Sequence, residues 1–169
     1  MIPKIKKILY ATGMGAGAPH VYRYALAMAK EHDAKIVVVS ALESLSSFAQ
    51  NLVDIHIPAE LREEIQQTAY SQARERLKGR IAKLCEKECG NDPICAQRLS
   101  EIRIEDGPPD QVVLKVAKGI DADLIIMGSH RHTVIGEMVL GSTTQKVLHQ
   151  ATQPVLVVRI PDGYYEEGF

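Results

Sequence analysis

The sequence predicts an α/β domain: one parallel sheet of five strands with helices on both faces. Two observations carry this. Short apolar runs such as Ile36-Val37-Val38-Val39 and Val155-Leu156-Val157-Val158 show no polar alternation, the mark of strands buried on both sides. Between these runs lie segments whose apolar residues recur every three or four positions, as amphipathic helices require. Strand and helix alternating along a chain imply right-handed crossovers that cover the sheet front and back. At 169 residues, 1–169 forms a single domain with a full-sized core.

The elements follow in order. Ile5 to Ala11 reads as the first strand, and Thr12-Gly13-Met14-Gly15-Ala16-Gly17 as a glycine-rich loop. Pro19 suits a helix's first turn, and Val21, Ala25, Met28 and Ala29 carry that helix to His32-Asp33. Ile36–Val39 is the second strand, and Ser40 to Ile57 is expected to be a long loop with short helical stretches. From Pro58, a stripe of Leu61, Ile65, Ala69, Ala73, Leu77, Ile81 and Leu84 or Cys85 runs to Glu88. Unbroken, that helix would extend about 45 Å at ~1.5 Å per residue. A domain of this size is only about 31 Å wide, so the helix should break near Gly79 or project beyond the sheet. Cys89-Gly90-Asn91-Asp92-Pro93 is a stop signal. Ile102–Ile104 is a short third strand; Gly107-Pro108-Pro109 then opens a helix bearing Val112, Val113, Val116 and Ala117 that closes at Gly119. Leu124–Met127 is the fourth strand, Thr143–Gln150 the last helix, and Val155–Val158 the fifth strand, with Pro154 tolerated at its first position. The tail from Pro161 to Phe169 reads as polar with exposed Tyr164, Tyr165 and Phe169.

Composition narrows the function classes. Apolar content of 46%, charged content of 24% and a net charge of −1 are ordinary globular values, with no electrostatic footprint for nucleic acid or an anionic membrane. No apolar run approaches the roughly 20 residues of a membrane span, and no signal peptide follows Lys4, Lys6 and Lys7. A cytoplasmic location is the expectation, and three cysteines suit a reducing compartment better than a secreted disulfide scaffold.

The stretch that organises the chemistry is Asp123-Leu124-Ile125-Ile126-Met127-Gly128-Ser129-His130-Arg131, continuing to Gly141-Ser142-Thr143-Thr144. A buried strand stops at glycine, a polar loop follows, and small hydroxyl residues open a helix. Glycines let backbone N–H groups approach an anion, and a helix N-terminus supplies free donors and the positive end of its dipole. In a parallel sheet, ligands bind beyond the strands' C-terminal ends. If strands one and four are neighbours, the loops after Gly13 and Gly128 meet at one crevice.

These residues resemble the universal stress protein family over nearly the whole chain. The likeness rests on Ile8-Leu9-Tyr10-Ala11-Thr12, Gly107-Pro108, Ala122 to His130, Gly141-Ser142-Thr143-Thr144 and Pro154 to Val158. The family's nucleotide signature, Gly-x2-Gly-x9-Gly-Ser/Thr, has Gly128 at its first position and Gly141-Ser142 at its last. The resemblance implies a flavodoxin-like, adenine-nucleotide-hydrolase-like sheet of order 3-2-1-4-5. It implies a homodimer through strand five (Val155–Val158), and ATP or another adenine nucleotide as ligand, with or without Mg²⁺. Thr12, Gly13 and Ala41 would lie near adenine and ribose; Met127, Gly128, Gly141, Ser142, Thr143 and Thr144 would hold ribose and phosphates. The chain departs from the pattern twice. Arg131 replaces the middle glycine, hindering close approach yet offering a guanidinium to phosphate. Gly13 stands where the family writes aspartate, removing a carboxylate for a ribose hydroxyl or a metal-bound water.

Other readings compete. Gly13-x-Gly15-x-x-Ala18, with Glu43 beyond strand two, loosely matches a dinucleotide fingerprint. There the helix begins around the second glycine, whereas Pro19 disfavours αR at Ala18 and moves the helix start to the proline. No nucleophile elbow, Walker loop or His-Glu-x2-His helix is present, so no catalytic residue is assigned and the chain is not read as an enzyme, though slow ATP hydrolysis stays open. His130, Arg131 and His132 form a cationic or solvated loop, His20 lies near the glycine-rich loop, and His149 is a rim residue. Cys85, Cys89 and Cys95, in an extension over about 79–100, are inert, a disulfide pair or zinc ligands; on a helix Cys85 and Cys89 would share a face. The alternative function is a non-nucleotide-binding, dimeric regulatory protein with a redox- or metal-responsive cysteine segment and an unknown protein partner. In the nucleotide-binding reading, the loop from Ser129 to Leu140 orders on ligand binding.

Overall fold

The computed structural model describes residues 2–43, 56, 58–129 and 140–166. Five strands and five helices are described: β1 (Lys7–Ala11), α1 (Ala18–His32), β2 (Lys35–Leu42), α2 (Ala59–Cys89), α3 (Pro93–Arg98), β3 (Leu99–Asp106), α4 (Pro109–Gly119), β4 (Leu124–Ser129), α5 (Ser142–Gln150) and β5 (Val155–Arg159). The sheet is parallel throughout, in the order β3-β2-β1-β4-β5. Both match the sequence expectation.

Alternation along each strand divides the core into two layers. Ile8 and Tyr10 of β1, with Ile36 and Val38 of β2, pack on α1 and α2. Leu9 and Ala11, with Val37 and Val39, pack on the opposite face against Val112, Val113 and Val116 of α4 and Val147 of α5. The lower end of the sheet is fixed by Asp123, whose carboxylate accepts the backbone N–H groups of Lys6 at 2.7 Å and Lys7 at 2.8 Å.

Helix α2 is unbroken, and of the two expected outcomes projection is the one observed. Its 31 residues rise about 46 Å at ~1.5 Å each. Gly79 does not break it; a Cβ there would meet nothing within 4 Å. Only the second half of the apolar stripe is used. Ile81, Leu84, Cys85 and Cys89 are buried, while Leu61 and Ile65 near the free end are 49% and 46% exposed. Tyr70 and Arg74 mark the transition: Tyr70 Oη reaches the Glu43 carbonyl, and Arg74 bonds the Ile104 carbonyl and the Asp106 carboxylate.

Several boundaries differ from expectation. β2 runs on through Ser40 to Leu42, into what the sequence suggested was loop, because β3 pairs alongside it up to Leu42↔Asp106. β3 spans eight residues rather than Ile102–Ile104, since an edge strand retains polar residues such as Ser100 and Arg103. α1 begins at Ala18, one residue before the proline, with Gly17 as its N-cap. α3 is a further helix, started by Asp92, whose carboxylate accepts the N–H groups of Ile94 and Cys95, with Pro93 in its first turn. The cysteines resolve into one disulfide, Cys89–Cys95, and a buried Cys85 thiol whose pKa burial pushes up. Cys89 therefore pairs across the turn rather than acting with Cys85. Among the described residues, no group of three or more metal-binding side chains occurs and no helix is long and apolar enough to cross a membrane.

The tail is less exposed than its composition suggested. Tyr164 is half-buried against the core, Tyr165 is exposed, and Phe169 lies outside the described residues. Glu166 holds the tail down: its carboxylate accepts from Tyr164 Oη at 2.6 Å, Lys87 Nζ at 3.1 Å and Arg23 Nη2 at 3.0 Å. Arg23 simultaneously grips Glu88 of α2 at 2.7 Å.

Two predictions follow from this packing. Leu84→Ala should cost about 2–5 kcal/mol in urea unfolding, whereas Leu61→Ala should stay within about 0.5 kcal/mol, because only Leu84 is removed from water. The partners of Glu166, Tyr164 first, lower its pKa to about 2. A lowered carboxylate contributes its stabilisation fully above the ordinary value near ~4.3 and loses it as pH falls towards 2. Protection of the amides in residues 161–166, relative to an unstructured peptide at the same pH, should therefore fall between roughly pH 4 and 2, and Glu166→Gln should show that lower protection already at pH 7.

Candidate functional site

β1 and β4 are hydrogen-bonded neighbours, with Ala11 opposite Met127. Their C-terminal ends therefore lie side by side. The loop after β1, the ends of β2 and β4 and the starts of α1, α4 and α5 line a cavity of about 400 Å³. Thr12, Gly13, Ala41, Met127, Gly128, Gly141, Ser142, Thr143 and Thr144 all line it. Arg131, with His130 and His132, lies outside the described residues, as does most of the loop expected to order on binding.

Sequence reasoning missed part of the wall. Gly15, Gly17, Ala18, Val21, Val39, Pro109, Val113 and Ile160 also face the cavity. Pro109 was findable, since Gly107-Pro108-Pro109 marks a loop-to-helix turn at the same end of the sheet. Ile160 was not: it follows the last strand and no motif includes it.

The protein stiffens its first loop. Tyr10, fully buried, donates its hydroxyl to the Ala18 carbonyl at 3.0 Å. Thr12 N–H bonds the Val39 carbonyl, and Thr12 Oγ1 accepts from Met14 N–H. Met14 takes a left-handed φ of 56°, and Arg80 of α2 donates to its carbonyl. Thr12 therefore has a structural duty, its hydroxyl proton remaining free of that bond.

The glycines divide into two kinds. A Cβ on Gly128 would stand 2.8 Å from Val21 Cγ2 and 3.2 Å from Ile160 Cδ1, so glycine is demanded there by the protein's own packing. Gly13 and Gly141 meet nothing within 4 Å, so each leaves open space in a cavity wall.

Among the described residues the lining is neutral in side chains and positive in backbone: none of those that line the cavity carries a charge. Three helices begin at the cavity, with Ala18, Pro109 and Ser142 in their first turns, and each presents its positive dipole end. The N-cap of α5 is Gly141, with no side-chain cap bond, and Gln145 N–H is the donor that closes onto Gly141, leaving the N–H groups of the first turn to a ligand or water. Thr144, buried, reaches the Gly128 carbonyl at 3.4 Å and ties α5 to the end of β4. Asp110, also buried, sits in the first turn of α4 opposite Lys146 at 3.6 Å.

The dinucleotide alternative fits poorly. α1 starts three residues after Gly15, and Glu43 is exposed and does not face the cavity.

A family model described as the universal stress protein family matches residues 4–159. The chain belongs to this family. Within it, a universal stress protein of Thermus aquaticus is 31% identical over 159 residues, covering 91% of this chain and 98% of that one. Another, of Methanocaldococcus jannaschii, is 43% identical over 53 residues, which are 31% of this chain and 33% of its own. The solved structure of the M. jannaschii protein covers 95% of this chain and 99% of its own, with a TM-score of 0.65 at 23% identity. A universal stress protein solved in complex with cAMP covers 94% of this chain and 100% of its own, with a TM-score of 0.56 at 16% identity. At these identities the structural likeness concerns the fold.

The two kinds of glycine separate experimentally. Gly128→Val should destabilise the protein by about 1–3 kcal/mol in urea unfolding through overpacking on Val21 and Ile160, while Gly13→Ala should remain within about 0.5 kcal/mol.

Proposed function

We propose that this chain binds an adenine nucleotide in the crevice between the β1 and β4 loops and serves as a stress-response signalling module. The observation that carries the reading is the convergence of three helix N-termini and two open glycine positions on one cavity of about 400 Å³ whose described lining carries no charged side chain. Apolar Val39, Ala41, Val113 and Met127 supply a surface for a base, and the first turn of α5 supplies amide donors for phosphate oxygens. That a family relative has been solved with cAMP supports an adenine nucleotide as the ligand class. With Gly13 in place of a carboxylate, Mg²⁺ enters only through the nucleotide's own phosphates.

In this reading the protein works as a homodimer through β5. That strand is a sheet edge, and its Val155, Leu156 and Val157 are only half-buried. An edge with unpaired N–H and C=O groups and apolar side chains calls for a second copy. A different role, engagement of a protein partner by the projecting end of α2, draws support from exposed Leu61 and Ile65 on that end. The two roles are compatible.

Calorimetric titration with ATP, ADP and AMP is the direct test, and no heat with any of them at millimolar ligand would end the reading. Ser142→Asp gives it a sharper edge. An acidic residue in a helix's first turn leaves the fold intact or slightly steadier, yet its charge repels phosphate. Affinity should fall at least about tenfold while the unfolding midpoint is unchanged or raised.

A further inference from the structure

Helix α3 is held in place by almost nothing apolar. None of its six residues is fully buried, and Ile94 is 64% exposed. A single helical turn of this kind does not persist by itself in water. Four ties keep it docked. Asp92 caps its N-terminus, and Lys35 Nζ donates to the Gln97 carbonyl at 2.6 Å. Arg98, only 13% exposed, places Nη1 on the Ala29 carbonyl at 2.9 Å and on the Ala34 carbonyl and Asp33 carboxylate at 3.3 Å, closing the C-terminus of α1. The fourth tie is covalent: Cys95 is bonded to Cys89, the buried last residue of α2, with Cα atoms 5.4 Å apart. β3 begins directly after Arg98, at Leu99↔Ile36.

We propose that Cys89–Cys95 is a reversible thiol–disulfide site whose oxidation state sets whether α3 and the first residues of β3 stay docked. The exposed partner is Cys95, which is half-buried where Cys89 is 9% exposed. A reductant thiolate attacks Cys95 Sγ, the Sγ–Sγ bond breaks, and Cys89 leaves as a thiolate that takes up a proton. The second thiol of a small dithiol then displaces Cys95 and closes the reductant into its own disulfide. Two electrons and two protons end on the protein. Oxidation by a low-molecular-weight disulfide runs the same steps backwards. Cys85, one turn before Cys89, is buried beneath α1 and stays a thiol throughout. Without the covalent tie, α3 rests on polar contacts at the surface, and Arg98 leaves the end of α1. The site lies at the lower end of the sheet, away from the cavity at the strands' C-terminal ends, so the two respond independently.

The experiment compares the full-length protein in oxidised glutathione and in dithiothreitol. Thiol titration in denaturant should find one thiol after oxidation and three after reduction. Trypsin should cut Arg98–Leu99 at least tenfold faster in the reduced form. Cys95→Ser and Cys89→Ser should match the reduced protein with or without dithiothreitol. Amide exchange should rise across residues 90–99 and stay unchanged across 124–129. Equal cleavage rates in both states, or three titratable thiols after incubation with oxidised glutathione, would overturn the proposal. So would exchange that rises equally in both segments.

Discussion

The pairing of β1 with β4 is the constraint from which the rest of the molecule follows. Their registers are tied at the bottom, where Asp123 accepts two backbone N–H groups of β1, and at the top, where Ala11 faces Met127. More than a hundred residues separate these segments in the chain, so the contact is closed only by the finished sheet. Once it is closed, both glycine loops emerge at the same edge, and right-handed crossovers bring the helices that follow them round with their N-termini pointing back. The crevice is thus a by-product of strand order. Among the described residues around it, the left-handed backbone falls at Met14 and Gly107.

A cavity walled by backbone dipoles differs in kind from one walled by arginine and lysine. The charge its described wall offers is partial, cannot titrate and is fixed by the helices themselves. Uncharged Ser142 and Thr143 add hydroxyls that donate or accept according to what arrives, while Thr144 gives its proton to the Gly128 carbonyl. Such a wall holds an anion without repelling the base and sugar attached to it. Lys146 of α5 is paired with the buried carboxylate of Asp110 and does not line the cavity.

How far the sequence reveals this molecule depends on which physical signal each part carries. Strands buried on both faces announce themselves, so β1, the core of β2 and β4 are plain from their apolar runs, and the edge strand β5 is plain because its run Val155-Leu156-Val157-Val158 is as apolar as theirs. The edge strand β3 is not, since one flank faces solvent and its polar residues hide its length. The end of β2 is obscured by Ser40 and Ala41, which look like loop until β3 lies beside them. Helix α2 shows the opposite failing: its stripe continues to Leu61 and Ile65, which stay half-exposed, because periodicity records what a helix can bury and not where the sheet stops. For the crevice, the small residues of the two loops are legible because glycine and hydroxyl side chains serve few other purposes at those positions. Val21, Val39, Val113 and Ile160 are illegible as lining residues, since they are indistinguishable from ordinary core until the fold aims them. The pairing of Cys89 with Cys95 depends on α3, a helix whose only local mark is Asp92-Pro93.

Ile160 joins the crevice to something no motif describes. It is the first residue beyond β5, and its side chain fills the gap that Gly17 and Gly128 leave between α1 and the end of β4. Six residues later Glu166 clamps the same segment onto α1 and α2. Part of the crevice wall is thus a side chain carried on the chain's final described segment. Chains sharing identical glycine loops can therefore hold differently shaped ligands simply by ending differently.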